Sequence, residues 1–350
     1  MTLSVTSPAS RSRLSSAAAA ARRLRAVWML LLVGIVLTIA SPVFLTHNNL
    51  MNVGLATSVA ALLAVGQTYV IILAEIDLSV GAALGFTAVV TAQTLRDHGL
   101  VAGIAAGVAA GAAIGLVNGL LVTKTRMPSF IATLATMSVL SGLSLQLTKG
   151  NPVAVTDYDF QGIGQNRIAG VPVPVVIMLV VFAAAGYLLA RTRFGRHVYA
   201  TGDNTEAARL SGVRTDRVKI LAFVVSGVLA ALAGFILTAR LSTAEPTAGT
   251  GLELEAIAAV IIGGTSLAGG RGTLLGTLVG ALVLGVIDNG MNLLDVSPFL
   301  QNVVKGLVIL LAVFLDRNID VLRSLLPKRA DGTAPGGPPH RGGTAAAKTR

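Results

Sequence analysis

Long apolar runs broken by short polar clusters dominate this chain. They lie near 26–45, 53–73, 78–95, 100–122, 129–147, 171–190, 220–239, 254–268, 273–293 and 299–315. Most approach the ~20 residues that a helix needs to cross the hydrocarbon core. The runs 78–95 and 254–268 are short, near the lower limit of ~17 residues. Either can be a half-helix buried in a bundle, where irregular backbone is tolerated. The pattern predicts an all-α, polytopic membrane bundle of about ten transmembrane helices.

The polar clusters orient the bundle. Counting Lys and Arg, alternate connections hold five (1–25), two (Lys124, Arg126), seven (191–219), one (Arg271) and seven (the C-terminal tail). The other set holds Arg96, Lys149, Arg167 and Arg240, with Lys305 inside the last run. A bias of 22 to four places the first set, and both termini, in the cytoplasm. A basic tail before an apolar run also suits a signal peptide, but this run is long and further spans follow at once. Residues 1–25 and 327–350 are expected to be disordered cytoplasmic tails around a membrane domain at 26–326, with 191–219 as its longest inside loop.

Glycine adds a second period. Gly103, Gly107, Gly111, Gly115 and Gly119 recur every four residues in one run, and Gly272, Gly276 and Gly280 do so in another. Such spacing makes a smooth helix face on which another backbone can lie. The two runs are fourth in successive sets of five, so two inverted five-helix halves are expected.

Composition agrees and excludes alternatives. Of 350 residues, 53% are hydrophobic and 12% charged, against about 25% charged in soluble domains. Mean hydropathy is +0.77. There is no cysteine, so no disulfide or thiol chemistry. The net charge of +11 sits in tails and loops, and aromatics are 4%, which argues against nucleic acid as a partner. His47, His98, His197 and His340 lie far apart, without metal-ligand spacing. No GxxxxGK[ST] pattern is present, so ATP is not cradled by this chain. Intramembrane charge looks sparse, Lys305 being the clearest case with Asp288 near a span end. That disfavours an ion-coupled secondary transporter of a small polar solute, the alternative reading.

Several polar motifs remain. EIDLSVG (75–81) places Asp77 where it can cap the next helix, with Ser79 in the first turn. It suits a broken helix lining a path or an ordinary closed turn. Gln67, Asn118, Gln146, Asn289 and Asn292 lie in or at the ends of spans. Gln67, Asp77, Ser79, Asn118, Asn289 and Asn292 are the candidates for a translocation path; cross-linking between helices explains such side chains equally. In TGDNTEAARLSGV (201–213), Asp203 or Asn204 can N-cap a short helix through Ala207, Ala208 and Leu210, which Gly212 would end. GGTSLAGGRG (263–272) packs five glycines into ten residues, with Gly263, Gly264, Gly269 and Gly270 as candidates for a gate or a tight turn.

Four segments, in order, resemble the permeases of ribose-type ABC monosaccharide importers. They are NNLMNVG (48–54) with EIDLSVG, MPSFIATLATM (127–137), GRHVYATGDNTEAARLSGVRTDRVK (195–219), and IIGGTSLAGGRGTLLGTLVGALVLG (261–285) continuing to VKGLVILLAV (304–313). DLSVG looks like the sugar branch rather than the branched-chain amino-acid branch. Ala135 stands where relatives often carry Gly, which would tighten packing slightly. The resemblance implies a non-enzymatic, multi-pass protein of the bacterial inner membrane. Its partners would be a second permease copy, ABC ATPase subunits, an extracytoplasmic sugar-binding protein and membrane lipid. It would hold no cofactor, since ATP and Mg would be bound by the ATPase. The resemblance makes Gly202, Asp203, Asn204, Glu206, Ala207, Ala208, Ser211 and Gly212 the ATPase-coupling element.

Overall fold

A computed structural model describes residues 26–325; both expected tails lie outside them. The helices are α1 (Ala26–Ala40), α2 (His47–Ile72), α3 (Val80–His98), α4 (Leu100–Lys124), α5 (Ser129–Thr148), α6 (Tyr158–Gln165), α7 (Val173–Arg191), α8 (Arg193–Asp203), α9 (Thr205–Leu210), α10 (Thr215–Leu241), α11 (Leu252–Ile262), α12 (Leu274–Leu293) and α13 (Pro298–Leu325). Contacts divide the chain into units 1–316 and 317–350. Of the second, 317–325 are described, as helix.

Among the described residues, six helices are long and apolar enough to cross a membrane: α2, α4, α5, α7, α10 and α12. The fold is an all-α polytopic membrane bundle. Helix α3 has 19 residues, but Gln93, Arg96, Asp97 and His98 make its last turns polar. The run expected at 254–268 is helical only to Ile262, in a helix of 11 residues or about 16 Å. Glycines break it at Gly263 and Gly264. Helix α2 begins earlier than its apolar run, because Thr46 caps it: Thr46 Oγ1 accepts from the Asn49 amide at 3.4 Å.

The core follows from how each helix is surrounded. Of the apolar window of α2, 89% is buried, against 22% of α5. A helix apolar all round belongs at the centre of a bundle; α2 packs against α10, α12, α11 and α7. Apolar residues on α1, α4, α5, α7 and α13 point outward, among them Trp28, Val101, Phe130, Tyr187 and Phe299. Without water to hide from, such faces suit lipid. Ala135 is also exposed, so its methyl tightens no packing, contrary to expectation.

The glycine rows do what their spacing predicts. Helix α4 lies on α3 and α10: a methyl at Gly111 would overlap the Gly227 carbonyl, and one at Gly115 the Phe223 carbonyl. Helix α12 lies on α11 and α2: methyls at Gly276 and Gly280 would overlap the carbonyls of Gly263 and Ala259, and one at Gly285 the Thr57 hydroxyl. Between α5 and α7 the chain forms α6 and three short strands, which enter two antiparallel ribbons, one of them completed after α10. Val153–Ala154 (β1) pairs with Thr243–Ala244 (β4), and Arg167–Ile168 (β2) with Val171–Pro172 (β3). The first ribbon ties the α5–α7 connection to the end of α10.

Candidate functional site

Helix α2 ends where Ala74 turns through a positive φ of 60°. Six residues later α3 begins, and the intervening backbone is stitched by side chains from four helices. Asp77 is buried. Its Oδ1 accepts from the Ser79 amide at 3.0 Å and the Ser79 hydroxyl at 2.6 Å; its Oδ2 accepts from the Ser226 hydroxyl at 3.0 Å. Gln67 Nε2 donates to the Asp77 carbonyl. Asn118 Nδ2 donates to Ser79 Oγ at 2.8 Å, and Thr136 Oγ1 donates to Asn118 Oδ1 at 2.7 Å. The amides of Ile76 and Leu78, which no helix satisfies, donate to Ser129 Oγ and Thr133 Oγ1, each at 3.0 Å. Lys219 pairs with Glu75 at 2.5 Å beside the break. Asp77 therefore makes a local turn and bridges to α10; the N-cap position itself is Ser79, without a side-chain cap bond.

Four of the six expected path residues, Gln67, Asp77, Ser79 and Asn118, thus meet in one network, and all four are buried. The other two lie elsewhere. Asn289 and Asn49 exchange amide hydrogen bonds at 2.9 Å each, fastening α12 to the start of α2. Asn292 Oδ1 accepts from Gln301 Nε2 at 2.9 Å, joining α12 to α13. Gln146 is exposed on α5.

The loop 191–219 holds two helices where one was expected. Thr192 caps α8 and Asn204 caps α9, its Oδ1 accepting from the Ala207 amide at 2.9 Å. Asp203 is the last residue of α8 and caps nothing. Helix α9 ends as the glycine predicts. The Gly212 amide donates to the Arg209 carbonyl and the Val213 amide to the Ala208 carbonyl, each at 3.0 Å, with Gly212 at φ 85°. Ala208 is buried, Ala207 and Ser211 are exposed, and the Ser211 hydroxyl donates to the Ala207 carbonyl at 2.9 Å. Glu206 is exposed, and its hydrogen bonds from Arg209 hold its carboxyl below the usual range.

The end of α8 meets the glycine-rich turn. The Gly270 amide donates to the Ile72 carbonyl, the last of α2, at 2.8 Å. A methyl at Gly202 would overlap that same carbonyl, and one at Gly269 would press on Gly202 and Ala74. Tyr199 Oη donates to the Gly272 carbonyl at 2.8 Å. Gly263 lies on Gly276, while Gly264, Gly269 and Gly270 have φ of 87°, 84° and 69°. Two motifs far apart in sequence therefore abut at the end of α2. Nothing in their spacing indicates it.

Charge among the apolar helices is less isolated than the sequence suggests. Lys305 on α13 contacts Asp288 of α12 at 2.7 Å and Glu255 of α11 at 3.4 Å. Glu255 escapes a sequence reading because only the packing of three helices brings it to Lys305. Among the described residues, no group of three or more His, Cys, Asp or Glu is arranged to hold a metal ion.

Residues 49–313 match the family model described as "Branched-chain amino acid transport system / permease component". The chain is 50% identical to the ribose import permease protein of Bacillus subtilis strain 168 over 286 residues, 81% of this chain and 89% of that one. It is 49% identical to the ribose import permease protein of Escherichia coli K12 over 294 residues, 82% and 91%. It is 40% identical to the L-arabinose transport system permease protein of Escherichia coli K12 over 277 residues, 79% and 84%. No solved structure matches it significantly. The chain belongs to this permease family. As a permease it is a multi-pass protein of the cell membrane and not an enzyme. The polar break, the α8–α9 pair and the glycine turn all fall within the matched region.

Proposed function

We propose that this permease carries a ribose-like monosaccharide inward as the membrane half of an ABC sugar importer. The observation that carries this reading is the identity of about half with two ribose import permeases, spanning four-fifths of the chain. The machine then includes an ATPase subunit and a substrate-binding protein. ATP and Mg are bound by the ATPase, and this chain holds neither. Two copies form the pathway in membrane lipid.

Ten crossings are assigned to α1, α2, α3, α4, α5, α7, α10, α11, α12 and α13, with both termini cytoplasmic. The basic-residue bias of 22 to four supports that orientation. Helix α11 supplies about 16 Å of a core ~30 Å thick. The turns at 245–251 and 263–272, which flank it, would supply the rest. Inverted halves are supported by packing: α4 lies on α3 and α10, and α12 lies on α11 and α2. Exchanging α2 with α10, α3 with α11 and α4 with α12 leaves that pattern unchanged. The breaks also share a spacing, Ala74–Glu75 to Gly81 and Ala244–Glu245 to Gly251.

Helices α8 and α9 are the coupling element. A force on Asn204–Gly212 from an ATPase passes along α8 to Gly202, and from there to the glycine turn and the end of α2 by direct backbone packing. The Asp77 network fastens helices in the state described, because its members are sealed from any pathway.

Uptake of labelled ribose, arabinose and allose by proteoliposomes holding permease, ATPase and binding protein tests the substrate class. Ribose uptake, competed by unlabelled ribose, is expected. Uptake of a branched-chain amino acid with no sugar uptake would overturn the reading.

A further inference from the structure

A cavity of about 210 Å³ opens between α11, α12 and α13. Its polar wall is made by Glu255, Asp288, Asn302 and Lys305, and Gly251 and Leu254 border it beside the second break. Its mouth is at the surface of the chain, where Gly251, Leu254, Asn302 and Gly306 are exposed, and its charged groups lie along the helices away from their ends. Asp288 is over a turn from the end of α12 at Leu293, and Lys305 lies about 10 Å along α13 from Pro298. Ionisable groups placed among apolar helices are costly and rare, and they mark substrate and ion routes.

Two features separate this cluster from the network around Asp77. The first is access. Asp77 is 2% exposed, whereas the side chains of Glu255, Asp288 and Lys305 are 17%, 21% and 31% exposed, and all line the cavity. The second is the balance of donors and acceptors. Ionised carboxylates only accept, and an ammonium offers three donors. Lys305 makes a close contact with Asp288 at 2.7 Å and a looser one with Glu255 at 3.4 Å. Two carboxylates facing one ammonium leave a surplus of acceptors. A neutral ligand rich in O–H groups complements that surplus. The excess carboxylate repels an anion. Small pockets with a few convergent polar groups are the usual form of ligand sites.

We propose that this cavity is a hydroxyl-binding subsite for the monosaccharide in transit. Glu255 and Asp288 accept sugar O–H bonds, and Lys305 holds the two carboxylates in place and donates to a sugar oxygen. The subsite rests on the sugar-importer reading and deepens it, because it gives the permease its own share of substrate selection.

The test uses the full complex of permease, ATPase and binding protein in proteoliposomes, with labelled ribose as probe. Apolar replacement of the whole cluster (Glu255→Leu, Asp288→Leu and Lys305→Met together) removes the charges without leaving one unpaired. The expected result is ATPase activity still stimulated by sugar-loaded binding protein, with ribose uptake reduced about tenfold or more, since charged hydrogen bonds to the ligand are lost. Wild-type uptake by this triple variant would overturn the proposal and leave the cluster a structural tie. Should the triple variant fail to insert, Asn302→Leu decides, because it leaves all three charges in place. A changed ratio of ribose to arabinose uptake supports the subsite; an unchanged ratio and rate overturn it. A wild-type complex that moves no sugar would overturn the importer reading itself, whereas flat variants beside an active wild type overturn the subsite alone.

Discussion

Two breaks interrupt the spans of this permease, and they are held by opposite means. At 73–79 side chains do the holding: Gln67, Asp77, Ser79, Asn118 and Ser226 close one buried network. At 245–251 the absence of side chains does it. The carbonyl of Gly249 lies where a methyl on Gly81 would go, and the Pro246 carbonyl lies where one on Gly85 would go. The second break satisfies its amides with its own turns and with Glu253, which accepts from the Gly251 amide. The first is a sealed anchor. The second is a close backbone crossing beside an open, charged cavity.

The two breaks should therefore fail differently. The largest effect is expected at Asp77. Asp77→Leu strips three hydrogen bonds from a buried carboxylate and strands their donors, for a loss on the order of 3 kcal/mol or more. Thermal denaturation of the detergent-purified protein measures it, and Asp77→Asn, which keeps an acceptor, should lose less. If Asp77→Leu melts like wild type, the network is no anchor.

Next comes Gly249→Val, where overpacking against Gly81 should cost about 1–3 kcal/mol. A polar substitution should rescue nothing there, which separates the second break from the first. Gly212→Trp ranks third. It forces a side chain into a left-handed conformation at about 1–2 kcal/mol, confined to α9. Insertion should persist while uptake uncouples from ATP hydrolysis; Glu206→Lys should uncouple similarly by reversing the charge that Arg209 holds. Normal uptake in both would remove α9 from coupling. Smallest is the Asn49–Asn289 pair, where a double-mutant cycle to Ala should give a coupling near ~0.6 kcal/mol.

Much of this was legible in the sequence because it depends on local periods. Run length marked the spans, glycines four apart marked the faces on which α4 and α12 lie, and Asn204 with Gly212 marked the ends of α9. Cross-chain partners were not legible. Ser226 meets Asp77 from 149 positions away, and Glu255 meets Lys305 from 50, distances that carry no period. Helix α8 was hidden for a different reason: its residues are polar and basic, so they read as loop until packing against α2 and the glycine turn is known.

The central claim is that this permease is the passive half of a machine whose motor is another protein. Reconstitution tests it most directly. Ribose uptake into proteoliposomes should require the ATPase, the sugar-binding protein and ATP together, and should vanish when any one is left out. Uptake by the permease alone, driven by a proton or sodium gradient through the Glu255–Lys305–Asp288 cluster, would contradict it.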